Sequence, residues 1–195
     1  MAQQADERTP RLVLLLGGPG AGKGTQASLL APRLGIPHIS SGELLRGARG
    51  VDPRMRAGEL LSDEVATKAV LDRLAQPDAA QGAILDGFPR TPAQAEALDR
   101  WLAERGGMLD AVIHLDVPRD TMVQRVADRG QVSQRSDDRT DVADRRAALF
   151  AEELPALLAH YQRRGPVHRI DGTQPIDEVQ RHIGTVLSHR PPPGR

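Results

Sequence analysis

The chain has 195 residues, enough to bury one α/β core and short for two independent ones. Lys plus Arg and Asp plus Glu both number 26, so no global field draws the protein to nucleic acid or to an anionic membrane, and any anion binding must come from locally placed cations. Cysteine is absent, which excludes disulfides, thiolate chemistry and cysteine-ligated zinc and fits a reducing cytosol; with only 2% aromatic residues, the core must be packed from Leu, Val, Ile and Ala.

Residues 1–10 are polar and read as a flexible tail. The first β-type run, residues 12–16, is also the longest apolar run, far too short for a bilayer span or a signal segment, so a soluble, unprocessed cytoplasmic protein is expected. A Gly-rich turn leads into a helix over 23–34, within which Pro32 should introduce a kink or an early end. A strand over 36–39 and a helix over 42–48 follow. Residues 47–61, rich in Gly and Arg, fit no core element. Further on, helices are predicted over 63–75, 92–104, 119–128, 137–163 and 176–187, and strands over 83–85, 111–117 and 167–170. The strands are nearly continuous in apolar character, as buried parallel strands are. The alternation predicts an α/β fold with a five-stranded parallel sheet and right-handed crossovers, with a polar insert at 130–138 and a flexible tail at 191–195.

The turn after the first strand reads Gly17-Gly18-Pro19-Gly20-Ala21-Gly22-Lys23-Gly24-Thr25, which satisfies G-x-x-x-x-G-K between a strand and a helix. Glycines let successive backbone N–H groups turn inward around a phosphate, and the helix N-terminus adds partial positive charge. Lys23 supplies a full charge near the β and γ phosphates of a nucleotide. Gly24 stands where this loop more often has Ser or Thr, with Thr25 following. Asp86 ends the third strand beside that loop, where a carboxylate reaches the water shell of Mg²⁺; the competing reading is a turn or helix cap. The six histidines show no metal-ligand or triad spacing and read as ordinary surface or strand residues.

Four motifs in order resemble the nucleoside monophosphate kinases, adenylate kinases in particular, over about residues 12–187. They are GGPGAGKGTQ from Gly17 to Gln26; Ser40-Ser41-Gly42-Glu43-Leu44-Leu45-Arg46, with Glu where the family usually has Asp; Asp86-Gly87-Phe88-Pro89-Arg90-Thr91 followed by Gln94; and Arg135-Ser136-Asp137-Asp138 with Arg146 downstream. The resemblance implies one P-loop kinase domain over 11–190, with an AMP-binding insert at about 41–70 and a short ATP lid at about 130–138. It implies reversible phosphoryl transfer from Mg·ATP to AMP giving ADP, by a monomer that needs no zinc, nucleic acid or membrane. The alternatives are a UMP/CMP or broad-specificity monophosphate kinase and, from another class, a nucleotide-binding regulator without turnover.

Residue by residue, the resemblance puts Gly18, Pro19, Gly20, Ala21, Gly22, Lys23, Gly24 and Thr25 around the ATP phosphates, and Arg125 and Gln174 beside the ATP adenine. Lys23, Arg90, Arg129, Arg135 and Arg146 carry catalysis, and Asp86 meets Mg²⁺ through water. Ser41, Arg46, Gly58, Leu60, Gly87, Arg90 and Gln94, with Arg135 and Arg146, form the AMP side, where Gln94 resembles the family's adenine-reading amide. Asp137 and Asp138 either fix the lid arginines or cap the long helix. Only eleven residues separate Arg46 from Gly58. That is roughly eight fewer than the resemblance leads one to expect, or about two helical turns.

Overall fold

A computed structural model describes residues 11–47, 62–132 and 140–188. The elements run β1 (Arg11–Leu16), α1 (Lys23–Leu34), β2 (His38–Ser40), α2 (Ser41–Gly47), α3 (Asp63–Leu74), a 3₁₀ turn (Pro77–Ala79), β3 (Gly82–Asp86), α4 (Pro92–Ala103), β4 (Leu109–Asp116), α5 (Arg119–Val132), α6 (Thr140–Gln162), β5 (Val167–Asp171) and α7 (Ile176–Ser188). The five strands form one parallel sheet, as the apolar runs predict, and the structure sets their order as β2-β3-β1-β4-β5.

β1 shows how the sequence divides the core. Leu12, Leu14 and Leu16 point to one face and pack with Val70 and Leu74 of α3, Leu98 of α4 and Leu157 and Tyr161 of α6. Val13 and Leu15 point to the other face and pack with Leu30 of α1 and Val179 and Ile183 of α7. Alternation of side chains across a strand requires this split, and helices covering both faces explain why no residue of the run needs to be polar. Being central, β1 delivers its C-terminal turn to the middle of one sheet edge. The C-terminal end of β3 lies alongside, with Leu15 in register with Asp86. In open α/β sheets ligands bind at that edge, where connections leave in opposite directions.

The helix boundaries follow local chemistry, with one correction. α1 continues through Pro32 to Leu34. The missing N–H of Pro32 removes a single helical bond close to the C-terminus, and the end is set instead by Gly35, whose N–H reaches the Ala31 carbonyl at 2.9 Å. α4 starts where expected because Thr91 caps it and Pro92 occupies the first turn.

The histidines also need correcting. His38 and His114 do lie in strands, but His160 is buried on a helix, with Nε2 2.7 Å from Asp99 Oδ2, and so ties α6 to α4. The predicted contacts at Gly58 and Leu60, the lid residues Arg135, Asp137 and Asp138, and both tails lie outside the described residues.

Candidate active site

The loop between β1 and α1 can only be glycine-rich. Gly20 has φ +82°, and a Cβ there would lie 2.3 Å from the Met122 carbonyl oxygen, so α5 closes directly against bare backbone. Lys23 folds back over this loop, with Nζ donating to the carbonyls of Gly17 at 2.7 Å and Gly18 at 2.8 Å. Asp86 Oδ1 is 3.9 Å away, and the lysine side chain is only 12% exposed. Burial pulls the Lys23 pKa down to about 8; Asp86 opposes the shift, while the charges of Arg90 and Arg129 add to it. A cation disfavoured by its own surroundings is a prepared counter-charge for an anion.

Asp86 shows the opposite balance. Its burial alone would raise its pKa, but His38 Nε2 at 3.3 Å from Oδ2, with the charges of Lys23 and Arg90, holds it below the ordinary carboxylate range. An anionic carboxylate, a hard oxygen donor of the kind magnesium takes, therefore stands at the end of β3. Among the described residues no cluster of three His, Cys, Asp or Glu offers a complete cage. Such a site fits an ion that arrives with substrate phosphates and keeps most of its water.

On the β2/β3 side the backbone carbonyl of Gly87 is a hub. Ser41 Oγ donates to it at 2.6 Å and Arg90 Nε at 2.7 Å. Gly87 has φ +77°, and a Cβ would meet Ser41 Oγ at 2.9 Å and Arg90 Nη2 at 3.0 Å. The guanidinium is thus anchored by Nε at the cavity wall.

The opposite side is built on the turn after β5. Asp171 accepts from Thr173 N at 2.9 Å, Thr173 Oγ1 at 2.6 Å and Gln174 Nε2 at 2.9 Å, and these bonds bring its pKa down to about 2. Arg125 Nη1 donates to the Gly172 carbonyl at 2.9 Å, which fixes the guanidinium over that turn. Gln26, the last residue of the first motif, donates from Nε2 to the Ile176 carbonyl at 3.1 Å and accepts at Oε1 from Gln180 Nε2 at 2.6 Å. These bonds tie α1 to the start of α7, the helix that follows the turn.

These parts enclose a cavity of about 660 Å³, lined by Pro19 through Thr25 of the loop together with Asp86, Gly87 and Gln174. Among the described residues six cations line it: Lys23, Arg46, Arg90, Arg125, Arg129 and Arg146. Gly18 lines a narrower cleft of about 80 Å³ between the loop and α6, shared with Lys23, Arg90 and Arg146. Ser41 is 3% exposed and reaches the site through Gly87, while Gln94, 2% exposed, lies behind Arg90 rather than in the cavity wall. Sequence reasoning missed His38, Ile176 and Val179, which also line the cavity. Only the sheet order puts His38 beside Asp86, and no local pattern signals it.

The model of the adenylate kinase family matches residues 15–166. A curated adenylate kinase of Thermobifida fusca is 40% identical over 186 residues, covering 91% of this chain and 98% of that protein. One from Nocardia farcinica is 45% identical over 175 residues, covering 86% and 93%. One from Xanthomonas campestris is 42% identical over 183 residues, covering 90% and 98%.

Proposed function

The chain belongs to the adenylate kinase family, phosphotransferases that move a phosphoryl group between ATP and AMP, and we propose that the cavity over β1 and β3 performs this transfer. The observation that carries the reading is the convergence of six cations on one phosphate-binding loop. Phosphoryl transfer has a loose, highly charged transition state, so it needs fixed positive charge and in-line positioning rather than a nucleophilic side chain.

The loop amides and Lys23 hold the ATP phosphates. Arg125 presents its guanidinium to the adenine, beside Gln174 and the turn at Gly172. Arg46 and Arg90 take the AMP phosphate on the β2/β3 side, and Arg129 and Arg146 close on the transferring group from α5 and α6. Arg135, outside the described residues, belongs to that same group by its motif. Asp86 would hold the magnesium of Mg·ATP through water, and that ion supplies charge neutralisation on the β and γ oxygens. No helix among the described residues is long and apolar enough to cross a membrane. Cytoplasmic residence and a monomeric state complete the proposal. A coupled assay with AMP, CMP, UMP and GMP tests it: AMP-dependent consumption of ATP in excess of the other three is expected, and absence of turnover with all four would leave only a nucleotide-binding role.

Two further outcomes follow from the same site. Bound polyphosphate gives the Lys23 ammonium a partner, so binding must raise its pKa from about 8. Below that pH the amine is already charged and binding takes up no proton there; above it, binding takes one up, and ATP affinity falls as pH rises. Calorimetry in two buffers of different ionisation enthalpy, at about pH 7 and about pH 9, reads this directly. Proton uptake is expected at the higher pH and should vanish in Lys23→Met; equal uptake in that variant would assign the proton elsewhere.

The second outcome concerns residues 47–57, the stretch that the family resemblance leads us to read as shortened. A smaller lid buries the acceptor less completely, and wetter phosphates interact more weakly with their arginines. A raised KM for AMP, a nearly normal KM for ATP and slow ATP hydrolysis without acceptor are expected. Steady-state kinetics with each substrate varied would contradict this if the AMP KM matched that of a full-lidded relative and no basal hydrolysis occurred.

A further inference from the structure

Two buried glutamines join the helix of the phosphate loop to α7. Gln26 lies in the first turn of α1 and Gln180 in α7; they are 3% and 7% exposed. Gln180 Nε2 uses both of its hydrogens on Gln26, one on the backbone carbonyl at 2.9 Å and one on Oε1 at 2.6 Å. Gln26 Nε2 then donates to the Ile176 carbonyl at 3.1 Å, and Arg33 Nη1 donates to Gln180 Oε1 at 3.2 Å.

One end of this chain of bonds borders the large cavity. Gln26, Ile176 and Val179 line it together with the loop, whereas Gln180 and Arg33 line a separate groove formed by α1 and α7. Val179 is buried, but Ile176 is 56% exposed, an apolar surface left uncovered beside Gln174. A nucleotide base lying there would cover it. Leu30, Val179 and Ile183 pack α7 against α1, yet apolar packing has no direction of its own and tolerates a small slide. The glutamine bridge is directional, so it sets where the first turn of α7 stands relative to the loop. That spacing matters because base and triphosphate are joined: a tethered second contact adds affinity only when both subsites stand at the separation the linker spans.

We propose that Gln180 is a positioning residue for ATP: through Gln26 it fixes the start of α7 at the spacing where one nucleotide fills the loop with its phosphates and covers Ile176 and Val179 with its base. Gln180 touches no substrate and acts only through Gln26. The inference rests on the reading that the base of ATP lies on the Gln174 side of the loop.

The test compares the affinity of Mg·ATP with that of magnesium tripolyphosphate, which occupies the phosphate part alone, by calorimetry on wild type, Gln180→Glu and the Gln26→Leu/Gln180→Leu double variant, together with the KM for AMP. Glutamate keeps the length and shape of the side chain but cannot donate, so it would set an acceptor against the Gln26 carbonyl and Oε1. To meet it, the Gln26 amide must turn its nitrogen away from Ile176. Gln180→Glu is expected to weaken ATP binding by about tenfold, the scale of unpairing a buried hydrogen-bonding group, with tripolyphosphate affinity and the AMP KM within about twofold of wild type. The double leucine variant removes donors and acceptors together and leaves no buried mismatch between the two side chains. It should shift the ATP-to-tripolyphosphate ratio in the same direction, and it decides the matter if Gln180→Glu does not fold. An unchanged ratio in the folded variants, whether because neither ligand is weakened or because both are weakened equally, overturns the proposal and leaves the bridge a purely structural tie. A wild-type protein that binds ATP no more tightly than tripolyphosphate would instead overturn the placement of the base on which the inference rests.

Discussion

Lys23→Ala is expected to lower turnover by about a thousandfold or more, the scale of removing a principal electrostatic stabiliser of phosphoryl transfer. The same change should leave the ligand-free fold as stable as before, or more so. The reason is the depressed pKa: burial disfavours the charged amine, which is nonetheless charged in both folded and unfolded chains at neutral pH because both pKa values, about 8 and 10.5, lie above it. Folding therefore carries the cost of burying that charge, and alanine removes it. The carbonyls of Gly17 and Gly18, to which Nζ donates, line the narrow cleft between the loop and α6, and losing that donor offsets part of the gain. Activity and thermal melting should thus move independently, as expected where function is maintained against stability. A variant keeping a third of wild-type turnover would refute the role given to Lys23; one that lost activity only because it unfolded would refute the argument about its burial.

Much of the architecture was legible because its signals are local. The five apolar runs became the five strands, and the Gly-rich turn fell between a strand and a helix as its motif requires. The loop, Asp86, Arg46 and Arg90 line one cavity and each sits in a short contiguous pattern, whereas Arg125, Arg129 and Arg146, which line it too, stand outside any such pattern. What escaped were pairings created by the sheet order and by helix packing. His38 reaches Asp86 only because β2 adds beside β3, and His160 reaches Asp99 only because α6 packs on α4. The grip of Asp63 on Gln94 likewise joins two helices far apart in the sequence. For Pro32, the early end allowed by the local rule does not occur, since the packing of Ala27 and Leu30 and the terminal Gly35 carry the helix to Leu34.

Removing the Arg90 guanidinium should produce the next largest loss. Arg90 Nε is committed to the Gly87 carbonyl, and the side chain lines the cavity together with Lys23 and Arg146. Arg90→Ala is expected to reduce kcat/KM for AMP by about a hundredfold to a thousandfold, with ATP binding within about twofold of wild type. Arg90→Lys should recover only a small part, because a single ammonium cannot both bond Gly87 and grip a phosphate bidentately. If the fork tightens on the transferring group, kcat falls with kcat/KM; if it only holds the ground-state phosphate, the loss appears in the AMP KM alone. Steady-state kinetics of both variants separates these cases, and near wild-type kcat/KM in Arg90→Lys would show that the fork geometry is dispensable. A second readout comes from Lys23. After burial, repulsion from Arg90 is among the causes that depress its pKa, so Arg90→Ala should raise that pKa above about 8 and move the onset of proton uptake on ATP binding to higher pH. An onset left where the wild type has it would mean that Arg90 and Lys23 do not share the field of one site.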